Sequence, residues 1–349
     1  MKLRWWILII FLGLGGFFTY KILSFPHRPF GGEGVIEVKK GAGITSVVKE
    51  LQKASLTDSP RMMDFYLRYV KKVGSKLVAG DYQFGPQATP EQIAQKLLKG
   101  ERIRRSFTIP EGYSTRDIAK LLEPKGLVNA GSFLQKVLAY DAAAKMGLDG
   151  TTLEGYLFPD TYEYTKETTE DQVIAMLVKN FKKNFDPQKV GEAQAIGMNK
   201  VQIVTLASLI EKETSKDEER PLISGVFHNR LKLGMPLATD PSVIYGIPNF
   251  DGNIRRADLE RVTPYNTYLR PGLPPTPIAN PGIKSIQAAL HPAQTDFFFF
   301  VSRNDGTHQF SKTLEEHNAA VQQYQLSKTP ATQPATQPAS MPASLPAIH

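Results

Sequence analysis

NKVQIVTLASLIEKET, residues 199–214, reads as one helix with an asparagine cap at its start and a pair of glutamates at its end. Asn199 precedes the first helical residue, where its side-chain carbonyl can accept from an orphan backbone N–H. At the α-helical repeat, Ile203, Leu206, Ala207 and Ile210 fall on a single stripe, the face a helix buries. Glu211 falls about 80° from Ile203, between Ala207 and Val204, so both its flanks are apolar. Lys212 points away, and Glu213 lands on the other flank, between Leu206 and the polar Gln202. A carboxylic acid pressed against apolar surface keeps its proton toward neutral pH, as a general acid must. The competing reading is a helix-end glutamate neutralised by a cation such as Arg220 or Arg230, and spacing alone does not separate the two.

Downstream, HNRLKLGMPLATDPSVIYG (228–246) carries Asn229 and Arg230 on a helix ended by Gly234, then Thr239-Asp240-Pro241 as a turn or helix start, then Tyr245. PYNTY (264–268), with Asn266 and Tyr268, precedes GLPPTPIANPG (272–282), which is too rich in proline for helix or central strand and reads as a stiff surface loop. Upstream, LEGYLFPDTY (153–162) packs aromatics, a proline and two carboxylates into a stretch without periodicity. It reads as a cleft-lining loop, or as a core loop with Tyr156 and Phe158 inside. Tyrosines and asparagines on stiff loops beside a helix-end acid suit a sugar: aromatic faces stack on pyranose rings, and amides bond hydroxyl and N-acetyl groups. Phe297–Val301, the turn Asn304–Gly306 and His308–Ser311 read as a hairpin, with His308 either a substrate contact or an ordinary surface histidine.

The first half repeats a unit of short strand, glycine-containing turn and amphipathic helix. Gly41, Val47, Lys49 and Leu56 map at one constant offset on Gly112, Ile118, Lys120 and Leu127, and a weaker copy runs from Tyr82 to Gly100. Such units form a small spacer, or resemble the LysM-like modules that lie on glycan chains. Trp5–Tyr20 carries no charge, is flanked by Lys2, Arg4 and Lys21, and is extended by Ile22–Phe25 toward the ~20 residues of a spanning helix. No small-x-small cleavage site follows, so it reads as an uncleaved anchor with residues from Pro26 outside the cytoplasm, although Lys21, His27 and Arg28 oppose that orientation. From Ser327 a Pro-Ala-Thr/Ser tail lacks the side chains to build a core.

With 349 residues, 41% of them hydrophobic, the chain suits two globular domains. It has no cysteine, which excludes disulfides, thiolate zinc sites and a cysteine nucleophile. His228, His291, His308 and His317 show no metal-ligand spacing, so neither metal nor cofactor is expected. The net charge of +8 suits an anionic membrane or an acidic polymer. Its basic residues are scattered, which argues against nucleic acid.

LEGYLFPDTY, LASLIEKET (206–214), FHNRLKLGMPLATDPSVIYG (227–246), YNTY (265–268) and GLPPTPIANPG, in that order, resemble the YceG-like family of endolytic murein transglycosylases. The likeness covers the chain up to its tail. With the tail 327–349 set apart by its composition, it implies an α+β protein with a transmembrane anchor over 1–25, a LysM-like module over 26–105 and a catalytic domain with a loop-lined cleft over 106–326. It implies cleavage of MurNAc-β-1,4-GlcNAc bonds within nascent peptidoglycan, leaving 1,6-anhydro-MurNAc ends. One acid/base suffices, because the C6 hydroxyl and not water closes on C1. By motif position that residue is Glu211, the first glutamate of E-K-E-T, with Glu213 as the fallback. Asn229, Arg230, Thr239, Asp240, Tyr245, Asn266 and Tyr268 are the implied substrate contacts. The implied setting is the inner membrane with the catalytic domain in the periplasm, among glycan strands, membrane lipid and peptidoglycan synthases. Two alternatives stay open: a hydrolytic muramidase using Asp240 or Glu154 as second carboxylate, and a non-catalytic glycan-binding scaffold.

Overall fold

The strand-turn-helix units all form, but they do not stay together. In a computed structural model describing residues 15–16, 19–248 and 250–326, the chain divides into two units. The first ends at Phe107 and also takes in 163–168. In it β1 (Gly34–Val38) leads into α1 (Ile44–Lys53) and α2 (Pro60–Phe65), and β2 (Gly80–Phe84) returns antiparallel to β1 before α3 (Pro90–Lys99). Thr89 caps α3 through a capping box with Gln92, ahead of Pro90, and Gly100 stops it in the left-handed conformation that glycine adopts at no steric cost. The buried faces of α1 and α3 close over Ile36, Val38 and Tyr82 to make this unit's own core.

The third copy, β3 (Arg105–Thr108) and α4 (Thr115–Leu122), departs from the pattern. Its strand pairs with β4 (Thr161–Tyr164), and its helix belongs to the second unit. After α5 (Ala130–Val137), α6 (Glu170–Asn184) and α7 (Pro187–Ala195) comes α8 (Lys200–Glu213), the helix quoted above. Asn199 caps α8 with Gln202 in a capping box, as its position required. α9 (Arg220–Lys232), α10 (Asp240–Tyr245), α11 (Ile283–Leu290), the antiparallel hairpin β5 (Phe299–Ser302) and β6 (His308–Ser311), and α12 (Leu314–Val321) complete the unit. Small antiparallel sheets among many helices make the class α+β, as expected.

One expectation fails in detail. α8 does not bury a single stripe: every residue from Ile203 to Ile210 is buried, with α11 and α9 against it. Its polar residues survive burial by bonding locally. The Thr205 hydroxyl donates to the Val201 carbonyl (2.8 Å), and the Ser208 hydroxyl donates to the Thr205 carbonyl (2.7 Å) while accepting the Ile278 N–H (3.0 Å). LEGYLFPDTY turns out to be a core loop, with Tyr156 and Phe158 buried.

Gly155 fixes how closely that loop approaches α8. Its φ is +87°, and a Cβ there would lie 2.6 Å from Pro277 and 2.8 Å from Val204 Cγ1. Gly155→Ala is therefore expected to cost about 1–3 kcal/mol in backbone strain alone, with the clash added. An unfolding midpoint equal to wild type would refute this.

The anchor expected over 1–25 and the tail 327–349 fall largely or wholly outside the described residues. Among the described residues no helix is long and apolar enough to cross a membrane.

Candidate active site

α8 stops at Glu213 because Thr214 leaves the helix for extended backbone (φ −145°, ψ 143°). At such a stop the last side chains meet other elements, and here the two glutamates meet different ones.

Glu211 is enclosed and fully engaged. Its Oε1 accepts from Arg220 Nη2 at 3.2 Å, with both side chains only 6% exposed, and its Oε2 accepts the Gly282 N–H at 2.9 Å. Arg220 also donates to Ser285 Oγ (3.1 Å) and pairs with Asp217. The partner is the cation named as the competing reading from sequence. Glu211 lines a smaller recess that it shares with Glu111, Asp217, Lys284 and Glu213. Burial there, and then the Glu211 carboxylate, push the Glu111 carboxyl up.

Glu213 lines that recess too, but it also lines a larger cleft of about 2110 Å³, which Glu211 does not. Arg230, Asp240, Tyr268 and the Thr239 side chain lie around it, while an edge of it stays open to the cleft. Burial pushes its carboxyl up to about 7; the neighbouring Asp240 carboxylate adds to this and the Arg230 guanidinium opposes it. An acid poised there can give a proton and take one back at neutral pH.

Of the residues expected from motif position, Arg230, Thr239, Asp240, Tyr245 and Tyr268 line this cleft, whereas Asn229 and Asn266 are not among its lining residues. The Tyr268 hydroxyl donates to Asp240 Oδ1 at 2.6 Å, and burial pushes both groups up. The Tyr245 hydroxyl donates to Glu154 Oε2 at 2.9 Å, and its ring lies 4.9 Å from that of Tyr265. Arg230 is committed to the fold. It donates to the carbonyls of Phe298 (2.6 Å) and Leu237 (2.7 Å) and lies over the Phe299 ring, with burial pulling its guanidinium down to about 10. The Asn229 amide donates to the carbonyls of Thr295 and Phe297, and the Asn266 amide to those of Leu259 and Arg261. These two asparagines tie loops together through their amide N–H groups.

Glu154 is wholly buried, accepting from the Thr115 N–H (2.9 Å) and from Asn280 Nδ2 (3.3 Å) as well as from Tyr245. Burial pushes it up to about 7, but it does not line the cleft. Of the two carboxylates suggested as a hydrolase's second group, only Asp240 reaches the space where a water could attack.

Nothing in the sequence placed Arg116 and Lys120 at the site, yet these exposed side chains one helical turn apart on α4 also line the cleft. Arg116 lies over the Tyr245 ring at 5.4 Å. Their spacing could have paired them, but nothing local distinguishes a polar face turned to a cleft from one turned to bulk water. Among the described residues no group of histidine and carboxylate side chains could hold a metal ion.

The frame of the site is an α+β fold with a large cleft at the end of its most buried helix, lined by Glu213 and by tyrosine, cationic and apolar side chains. Residues 36–323 match the model of the YceG-like family, and the chain belongs to that family. It is 33% identical over 333 residues to an endolytic murein transglycosylase of Bacillus subtilis, covering 90% of this chain and 92% of that one. A Streptococcus pneumoniae protein of the same name is 28% identical over 92% of this chain, which spans 64% of that longer protein. The crystal structure of a yceG-like protein from Listeria monocytogenes superposes with a TM-score of 0.57 at 30% identity, over 82% of this chain and 98% of that one.

Proposed function

We propose that this chain is an endolytic murein transglycosylase that cuts MurNAc-β-1,4-GlcNAc bonds within peptidoglycan strands and leaves 1,6-anhydro-MurNAc ends. The observation that carries the reading is Glu213, a carboxylic acid held up to about 7 at the wall of the cleft in a chain of this family. Glu213 protonates the leaving glycosidic oxygen while oxocarbenium character builds at C1. The carboxylate so formed then removes the proton of the C6 hydroxyl as that oxygen closes on C1. One group serves both steps, so no second carboxylate is needed. The role passes from Glu211 to Glu213 on geometric grounds: the two oxygens of Glu211 already accept from Arg220 and a backbone N–H, whereas Glu213 lines the large cleft. Asp240, Tyr268, Tyr245 and Thr239 form the wall that meets the sugar, and Arg230 holds that wall in place. The remaining parts of the proposal are the anchor over 1–25 in the inner membrane, a periplasmic catalytic domain, peptidoglycan synthases as neighbours, and a LysM-like role for the first unit. The strand-helix composition of that unit and the family membership support them.

Mass spectrometry of products from uncrosslinked peptidoglycan strands tests the reading. Anhydro ends are expected; reducing ends would make it a hydrolase and turn attention to Asp240, and intact bound glycan would make it a scaffold. The pH profile gives a second test. The acid works only when protonated, below about 7, so kcat/KM is expected to fall about tenfold per pH unit above that value. A flat profile from pH 6 to 9 would remove Glu213 from the acid role.

A further inference from the structure

Glu219 and His308 form a buried pair at the same cleft that the single-acid chemistry does not use. Glu219 sits just before α9, and His308 opens β6 and lines the cleft. One Glu219 carboxylate oxygen accepts the His308 backbone N–H at 2.7 Å, and the other meets His308 Nδ1 at 2.7 Å. That second oxygen also accepts the Thr214 hydroxyl at 3.1 Å. Thr214 follows Glu213 directly, so this one carboxylate ties the imidazole to the end of the acid-bearing helix. Both side chains are nearly closed off, at 12% and 10% exposure. The ring is flanked by Phe300 at 5.5 Å, edge to face, and by Phe310.

An ionised carboxylate only accepts hydrogen bonds. Burial pulls the Glu219 carboxyl upward, yet the side-chain and backbone bonds from His308 outweigh it and hold the group below its ordinary value. Nδ1 therefore carries the proton. Nε2 makes no hydrogen bond among the described residues, and His308 lines the cleft.

Granted the glycan-cleaving reading of the cleft, we infer that His308 Nε2 accepts a hydrogen bond from a hydroxyl of the bound sugar, and that Glu219 is the positioning residue that sets the ring and its tautomer. Losing the bond takes away a fixed acceptor for a sugar hydroxyl.

Three substitutions and nitrogen-15 spectra test this. His308→Asn keeps a donor for Glu219 but removes the nitrogen that faces the sugar. Its kcat/KM is expected to fall on the order of 10–100-fold in protein that still folds. Glu219→Gln keeps the shape but offers an amide N–H to Nδ1, which moves the ring proton to Nε2 and turns the acceptor into a donor, with a similar fall. Nitrogen-15 spectra should show Nδ1–H in the unsubstituted protein and Nε2–H in Glu219→Gln. An Nε2–H tautomer in the unsubstituted protein, or wild-type cleavage by His308→Asn, would overturn the inference. Should Glu219→Gln fail to fold, the spectrum of the unsubstituted protein and the His308→Asn rate still decide it. In Glu213→Gln, added glycan strands should shift the His308 Nε2 resonance. Bound glycan without that shift would sink the His308 contact alone, whereas an unsubstituted protein yielding no anhydro ends would sink the glycan-cleaving reading itself.

Discussion

Replacing Glu213 by glutamine is expected to abolish release of anhydro ends, a loss on the order of 10³-fold or more, because one group supplies both proton transfers. The fold should survive. The amide has nearly the shape of the acid it replaces, and removing an acid that burial already pushes up to about 7 takes no paired charge from the protein. Glu211→Gln provides the contrast. That side chain is bonded to Arg220 and to the Gly282 N–H, both of which an amide oxygen can still partly satisfy, so cleavage should persist at a reduced rate. Product analysis of the two variants side by side separates the glutamates. A dead Glu211→Gln beside an active Glu213→Gln would reverse the assignment.

Arg220→Ala is expected to give the largest loss of stability, about 3–5 kcal/mol, because it strips the partner from a buried carboxylate. Arg220 meets Glu211, Asp217 and Ser285 at once, and both members of the Glu211 pair are 6% exposed. The double variant Arg220→Ala with Glu211→Gln should recover part of that loss, since it no longer buries an unpaired charge. Chemical denaturation of the four proteins in the cycle reads the coupling directly. Additive losses would mean that the pair is not coupled and that the helix end is held by something else. The recess around Glu211 is thus a structural joint, tying α8 to α9 and to the Gly282 turn that opens α11.

Much of the architecture was legible because it is written in local chemistry. Asn199 with Gln202, Thr89 with Pro90 and Gln92, and the turn between the two phenylalanine-bearing strands each satisfy backbone groups within a few residues of themselves. The α+β class and the repeated strand-turn-helix unit followed from periodicity. What those signals could not carry was long-range: the third copy of the unit has the same local pattern as the first, yet its strand pairs with β4, a segment more than fifty residues away. The site shows the same division. Glu211 and Glu213 were both legible as helix-end acids, and helical spacing gave Glu211 the more apolar flanks. Only the tertiary structure gives them different surroundings. At a helix terminus a side chain is solvated by whatever the rest of the chain brings there, and here Arg220 and Gly282 arrive beside one glutamate while Arg230, Asp240 and Tyr268 wall in the other. A carboxyl's proton affinity follows from that surrounding charge and desolvation, neither of which is a property of neighbours in sequence.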